Sequence, residues 1–322
     1  MIPVEAKSQL KIAIMGAGGV GGLFGARLAA SGQDVSFIAR GPHLKAILSD
    51  GLRVVSEYRG DLTIQPARAF ADAAEIGPVD YVFFCVKLWD TENAAQAIKP
   101  LIGDNTAVIS FQNGISRDEV LRQAIGAKHV LGGISYVAAT IEKPGVICQK
   151  GTVQKLVFGE YGQSRSERVN LLEQACVKAE IEAEVPADIE KALWNKFLVL
   201  VAMSSLTAST RTSIGPVRDN LQTRALLEAV MNEVYRVGLG KGVHFDDDIV
   251  ARQMSYLDGL AWDVSSSMQH DLSIGNRLEL PWLGGTVVRL GAQLGVPTPN
   301  LSVICALLDP FCQGPPQPVA SA

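Results

Sequence analysis

The chain encodes an α/β protein: an N-terminal doubly wound parallel sheet followed by a C-terminal all-α domain. Three observations predict this. A strand-length apolar run, Leu10 to Met15, breaks at a glycine cluster and resumes at helical period through Leu23, Leu28 and Ala29. A second apolar strand, Val35 to Ala39, follows the helix stop at Ser31-Gly32, and further buried-type strands recur at Tyr81 to Val86 and Ala107 to Phe111. From Asp188 onward the period is helical, with candidate helices at 188–209, 220–241, 246–257, 282–294 and 298–309.

The opening strand, helix and strand form the first βαβ unit of a Rossmann-type dinucleotide-binding fold. Its glycines fall at the offsets such a unit needs: Gly16 for the tight turn, Gly18 for close approach to a pyrophosphate and Gly21 for packing of helix on strand. A helix beginning near Gly19 presents unpaired N–H groups and a positive dipole end to phosphate. The residue closing the second strand chooses the cofactor, because an acid there takes the ribose hydroxyls of NAD whereas a cation suits the extra phosphate of NADP. This chain has Arg40 there, with no Asp or Glu before Asp50, so NADP is expected over a simple strand cap. His43 and Lys45 either add charge to that site or are a solvated helix start.

In a parallel sheet, ligands sit beyond the carboxyl ends of the strands, which makes Lys87 and Asn113 candidate contacts. Asn113-Gly114 is equally a plain turn, since both residues tolerate positive φ. The segment around Arg59-Gly60-Asp61 alternates like a hairpin. Extended chain with a turn at Pro144-Gly145 adds to the picture of antiparallel strands joined to the parallel sheet, and a charged helix over 165–179 follows. The domain boundary falls at Pro186, giving domains 1–186 and 187–322, with Asp188 placed to cap the next helix. The terminal "QGPPQPVASA" is a frayed tail by composition.

Composition narrows the partners. A formal net charge of -4 creates no global field that would draw nucleic acid or an anionic membrane, so the expected partner is a small molecule met by local charges. Five scattered cysteines without a C-x-x-C pair argue for reduced thiols and a cytoplasmic setting. The four histidines make no metal-binding spacing, so no metal is expected. The longest apolar run, around residues 197–203, falls short of the roughly 20 residues that span a bilayer.

Within "KALWNKFLVLVAMSSLTAS", Lys196 interrupts an apolar helix, with Ala192, Leu193, Val199 and Leu200 as its helical neighbours. Two readings stand. Desolvation lowers a lysine pKa toward neutrality and makes it a proton donor, or the stem covers apolar surface while the ammonium stays wet. Ser265-Ser266-Ser267 are helix caps or ligand contacts, and Glu279 is a carboxylate favoured at a helix N-terminus.

Taken in order, "GAGGVGGLFGARL", "ARG", "CVKLWD", "QNGIS", "LWNKF", "SSMQHDL" and "LELPWLGG" resemble the ketopantoate reductase (2-dehydropantoate 2-reductase) family over nearly the whole chain. "GGISYVAATIEKPGVI" and "VVRLGAQLGVPTP" are similar to it as well. The resemblance implies an NADPH-dependent reductase of pantothenate biosynthesis, a homodimer that delivers hydride to a 2-oxo acid in a cleft between its domains. By the same match Lys196 is the proton donor, Glu279 hydrogen-bonds the forming hydroxyl and Ser267 holds the substrate carboxylate. Asn113 positions cofactor and lysine, Arg40 holds the 2′-phosphate, and Lys87 lies by the cofactor with Gly16, Gly18, Gly19 and Gly21.

This sequence departs from the pattern at positions where the family commonly carries polar side chains. Leu200, Ser204 and Ile214 replace asparagines, Pro281 an aspartate and Gly284 an asparagine. Leu200 lies one turn beyond Lys196, and an unpaired substrate hydroxyl there costs about 1–3 kcal/mol. The departures together predict a more apolar pocket, with Leu200 and Ser204 among its walls. The alternatives are a same-family reductase of a less polar 2-oxo acid, and a non-catalytic NADPH-binding sensor.

Overall fold

The computed structural model describes residues 9–162 and 165–316; most of the tail predicted from composition, residues 317–322, lies outside them. The chain begins β1 (Lys11–Met15), α1 (Gly19–Ala30), β2 (Asp34–Ile38), α2 (Gly41–Asp50), β3 (Leu52–Ser56), β4 (Leu62–Ile64) and β5 (Arg68–Phe70). It continues through β6 (Tyr81–Phe84), α3 (Thr91–Ala97), β7 (Ala107–Ser110), α4 (Arg117–Ile125), β8 (Val130–Lys143), β9 (Val146–Gly159), α5 (Glu167–Lys178) and β10 (Glu182–Glu184). Helices follow: α6 (Ile189–Thr210), α7 (Ile214–Asp219), α8 (Leu221–Gly240), α9 (Ile249–Asp258), α10 (Ser267–Ser273), α11 (Gly284–Leu294) and α12 (Pro299–Leu308).

The chain divides into two compact units. The first runs to Asn113 and again from Arg117 to Ile189; the second starts at Glu190 and also takes Gly114–Ser116.

In the first unit the strand order is β4-β3-β9-β8-β7-β6-β1-β2-β5, with β10 on β9. From β5 to β8 every pairing is parallel. Strand β1 shows why the sheet is covered on both faces. Ile12 and Ile14 join the core made by α1 and α5, whereas the alternate residues Ala13 and Met15 join the core made by α3 and α4. Continuous apolar runs in the sequence are the signature of that double burial.

β8 changes the sheet's character. Val130 and Leu131 pair in parallel with β7, and from Gly132 onward the same strand runs antiparallel to β9. The predicted turn joins the two long strands at Pro144-Gly145, where Gly145 has φ +79°. The predicted hairpin about Gly60 also forms, as β3 and β4.

The second unit is built around α6. Phe197, Leu198, Val201, Ala202 and Leu206 are buried in one core with Val230, Met231 and Val234 of α8, and with Val287, Leu301 and Ile304 of α11 and α12. By length and composition α6 could cross a membrane, contrary to the count of its apolar run, but 61% of that stretch is buried inside the protein. Two short helices, α7 and α10, were not expected from periodicity. Glu233 of α8, 3% exposed, accepts hydrogen bonds from the backbone N–H of Asn300 and Leu301 (both 2.9 Å) and from Asn300 Nδ2 (2.8 Å), capping α12 from a neighbouring helix.

Candidate active site

In the first unit the sheet places four predicted contacts side by side. The ends of β7, β6, β1 and β2 are adjacent, so Asn113, Lys87, the glycine loop and Arg40 stand in that order along one edge. This is the carboxyl edge of a parallel sheet, where dinucleotides bind.

The loop's glycines differ in what they do. Gly16 has φ +98°, and a Cβ on it would meet the Cys85 carbonyl carbon at 3.0 Å. A Cβ on Gly21 would lie 2.2 Å from the Gly16 oxygen and 2.7 Å from Ile14 Cγ2, so that glycine lets α1 pack on β1. Gly19 is pressed against the ribbon, its Cβ position 2.0 Å from the Ala139 carbonyl oxygen. Gly18, the N-cap of α1, has only open space within 4 Å of its Cβ position. A dinucleotide pyrophosphate fits this arrangement: room at Gly18, and the first N–H groups of α1 without intrahelical acceptors.

Arg40 is exposed and occupies the N-cap of α2 in extended backbone. The N-terminal turn of α2 carries no acidic residue, which suits an anionic ligand. His43 does not serve as a free charge beside it. Its Nε2 donates to the Ala17 carbonyl (2.8 Å) and its Nδ1 accepts from the Gly145 N–H (3.1 Å). Lys87 is exposed, with its ammonium 5.6 Å from the centre of the Trp89 ring.

Asn113 is half-buried and followed by Gly114 at φ +82°, so the turn geometry is real and coexists with a position at the site edge. Its neighbour Gln112, to which the sequence assigned no role, is 6% exposed. Gln112 Nε2 donates to the Val86 carbonyl and to Thr91 Oγ1 (both 2.9 Å), while its Oε1 accepts from Ser110 Oγ (3.0 Å). This clamp binds the ends of β6 and β7, and therefore the segments carrying Lys87 and Asn113. Beyond the turn, buried Arg117 donates to the Gly133 carbonyl (2.6 Å), and Tyr161 donates to Asp118 Oδ2 (2.6 Å). Burial pushes the Asp118 carboxyl up, against Arg117 and that hydrogen bond. Burial also pushes the Cys85 thiol, beside Gly16, well up, which favours the neutral thiol over the thiolate.

In the second unit Lys196 and Leu200 are half-buried on α6, and Ser204 is 1% exposed with no hydrogen-bond partner for its hydroxyl among the described residues. Two of the three consecutive serines are spent on structure. Ser266 caps α10, accepting from the Gln269 N–H (3.1 Å), and its hydroxyl meets Thr207 of α6 at 2.8 Å; Ser265 donates to Gln269 Oε1 (2.9 Å). Ser267 begins α10 and is exposed. Glu279 is half-buried at the N-cap of a 3-10 turn over Leu280–Trp282, between Leu278 and Leu280, which share the core of α6.

Three of the departures have packing or backbone surroundings of their own within the helical unit. Ile214 is fully buried in the helical core, and its N–H donates to the Val264 carbonyl (2.8 Å). Gly284 is buried where a Cβ would stand 2.9 Å from Cys305 Sγ, so α11 lies close against α12 at this point. Pro281 is exposed in the first turn of the 3-10 helix, where a missing N–H costs nothing. Among the described residues no cluster of His, Cys, Asp or Glu could hold a metal.

Residues 12–163 match the family described as ketopantoate reductase PanE/ApbA, and residues 188–311 match its C-terminal part. The chain belongs to the ketopantoate reductase family. A 2-dehydropantoate 2-reductase of Mesorhizobium japonicum is 32% identical over 320 residues, covering 93% of this chain and 97% of that protein. One from Archaeoglobus fulgidus is 31% identical, over 89% and 92% of the two chains. The crystal structure of a PanE/ApbA family ketopantoate reductase from Ralstonia eutropha superposes with a TM-score of 0.85 at 33% identity, covering 94% of this chain and 98% of that one. Ketopantoate reductases are NADPH-dependent oxidoreductases acting on CH–OH groups, and this member has their two-part architecture.

Proposed function

We propose that this ketopantoate reductase family member reduces a 2-oxo acid to the 2-hydroxy acid with NADPH, ketopantoate to pantoate being the reference reaction. The observation that carries it is the alignment of Asn113, Lys87, the open Gly18 loop and Arg40 along one carboxyl edge of the sheet, in a chain that also keeps Lys196 and Glu279. NADPH, when bound, supplies the hydride. The α1 N-terminus holds its pyrophosphate, and Arg40 pairs with the 2′-phosphate. Hydride arrival at the keto carbon places negative charge on oxygen. The Lys196 ammonium stabilises that charge and gives its proton to the oxygen. Glu279 accepts the hydrogen bond of the new hydroxyl, Ser267 holds the substrate carboxylate, and Asn113 orients cofactor and lysine.

Leu200 favours a substrate with a less polar side chain than ketopantoate. It is half-buried against the helical core and offers no hydrogen bond to a substrate hydroxyl. A homodimer and a cytoplasmic setting are part of the same proposal, supported by unpaired cysteines and by exposed Val303 and Leu307 on one face of α12.

Following NADPH absorbance with ketopantoate and a panel of apolar 2-oxo acids tests both readings. Lys196→Ala should bind NADPH yet lose at least about a hundredfold in kcat, the range of a removed proton donor. Turnover retained in that variant rejects the assigned role. Wild type that binds NADPH and reduces nothing in the panel points instead to a sensor.

A further inference from the structure

Most of the glycine loop's peptide groups have identified partners. The N–H groups of Gly16 and Ala17 both donate to the Ile38 carbonyl (3.2 Å), and the Gly18 carbonyl accepts from the Gly22 N–H (2.6 Å). No backbone acceptor takes the N–H of Gly18 among the described residues. The Ala17 carbonyl is held by His43.

The two hydrogen bonds select one imidazole tautomer. The Gly145 N–H can only donate and the Ala17 carbonyl can only accept, so Nδ1 carries the lone pair and Nε2 the proton. A trans peptide is planar, with its carbonyl oxygen and the next N–H pointing in opposite directions. Fixing the Ala17 oxygen toward α2 therefore turns the Gly18 N–H away from α2.

We propose that His43 is a positioning residue for the dinucleotide: its neutral ring sets the Ala17–Gly18 peptide so that the Gly18 N–H faces the pyrophosphate. This rests on the NADPH-binding reading above. His43 lies three residues after Arg40 on α2, so the same ring ties the 2′-phosphate end of the site to the pyrophosphate loop. Its other nitrogen fastens both to the turn of the β8–β9 ribbon, whose Ala139 already supports Gly19.

Two amides separate the two bonds. In His43→Gln the side-chain N–H reaches the Nε2 position and can donate to Ala17, whereas in His43→Asn the carbonyl reaches the Nδ1 position and keeps only the Gly145 bond. NADPH binding is read from its fluorescence on the full-length protein, beside kcat and KM. The expected result is a Kd within about threefold of wild type for His43→Gln and about tenfold weaker for His43→Asn and His43→Phe. KM for NADPH should follow Kd, with a smaller change in kcat. Equal Kd for the Gln and Asn variants overturns the proposal, as does wild-type affinity in His43→Phe or a loss confined to kcat. If His43→Phe does not fold, the Gln and Asn pair decides alone. Wild type that binds no NADPH overturns the functional reading and this inference with it, whereas wild-type binding with indifferent variants rejects only the inference.

Discussion

A methyl group added at Gly18 and the same group added at Gly21 should fail in different ways, and the difference isolates cofactor binding from folding. The Gly18 Cβ position has nothing within 4 Å, and its backbone is extended with negative φ (φ -76°, ψ -159°). Replacing a glycine N-cap by alanine costs folding roughly 0.5–1 kcal/mol. At Gly21 the new methyl would stand 2.2 Å from a backbone oxygen, so α1 must move off β1, an overpacking cost of about 1–3 kcal/mol or more. A pyrophosphate seated at Gly18 would be pushed off the helix N-terminus by the methyl. Hydrogen bonds to a charged group contribute about 1.5–3 kcal/mol each, so losing one weakens NADPH by roughly ten- to a hundredfold. Urea unfolding without cofactor, followed by fluorescence titration with NADPH, separates the effects. Gly18→Ala should unfold near the wild-type midpoint and bind poorly, while Gly21→Ala should unfold early. A Gly18→Ala protein that binds NADPH as tightly as wild type refutes the placement of the pyrophosphate.

Arg40→Glu should reverse the coenzyme preference, raising KM for NADPH by about tenfold or more while NADH is used as well or better; unchanged NADPH kinetics would remove Arg40 from the site. Glu233→Ala leaves the buried Leu301 N–H and the half-buried Asn300 N–H of α12 without their acceptor and should cost about 1–4 kcal/mol of stability, measured by urea unfolding, with Glu233→Gln losing less. For Glu160, burial raises the carboxyl's pKa but is outweighed by the Arg168 fork (2.7 and 2.8 Å) and the Ser166 hydroxyl (2.7 Å), leaving it below the ordinary 4.5. Its stabilisation is complete above about pH 4.5 and is lost as pH falls through the lower folded value, so wild type should exceed Glu160→Gln by roughly 1–3 kcal/mol at pH 7 and converge with it in acid.

The double-sided burial of the parallel strands was legible because it writes itself into continuous apolar runs, and the roles of Gly16 and Gly21 because tight turns and close packing exclude a Cβ. Ser266 was legible as a cap only as one of two readings, since hydroxyls in loops serve both ends. What escaped was long-range pairing. Gln112 joins residues 21 and 26 positions away, His43 reaches across 102 residues to Gly145, and Glu233 caps a helix 67 residues on. Periodicity carries no trace of such partners. The short helices α7 and α10 escaped for a related reason: each is under two turns long and is held by contacts outside itself, Ile214 and Gly215 donating to the segment before α10.

Burial also reorders the question of substrate. Five departures from the family pattern first argued together for an apolar pocket, yet Ile214, Pro281 and Gly284 each have packing or backbone surroundings of their own within the helical unit. Leu200 and Ser204 remain. At about 100° per residue they stand roughly 40° and 80° around α6 from Lys196, one and two turns away. Ser204 still offers a hydroxyl, and its lack of an internal partner leaves that hydroxyl available in a buried setting. Leu200 offers only an isobutyl group, closer to the ammonium and on nearly its face. If Leu200 faces the substrate as proposed, selectivity among 2-oxo acids would turn on what side chain can lie against that leucine without losing a hydrogen bond, a requirement met by an apolar group and failed by a hydroxyl pointing that way.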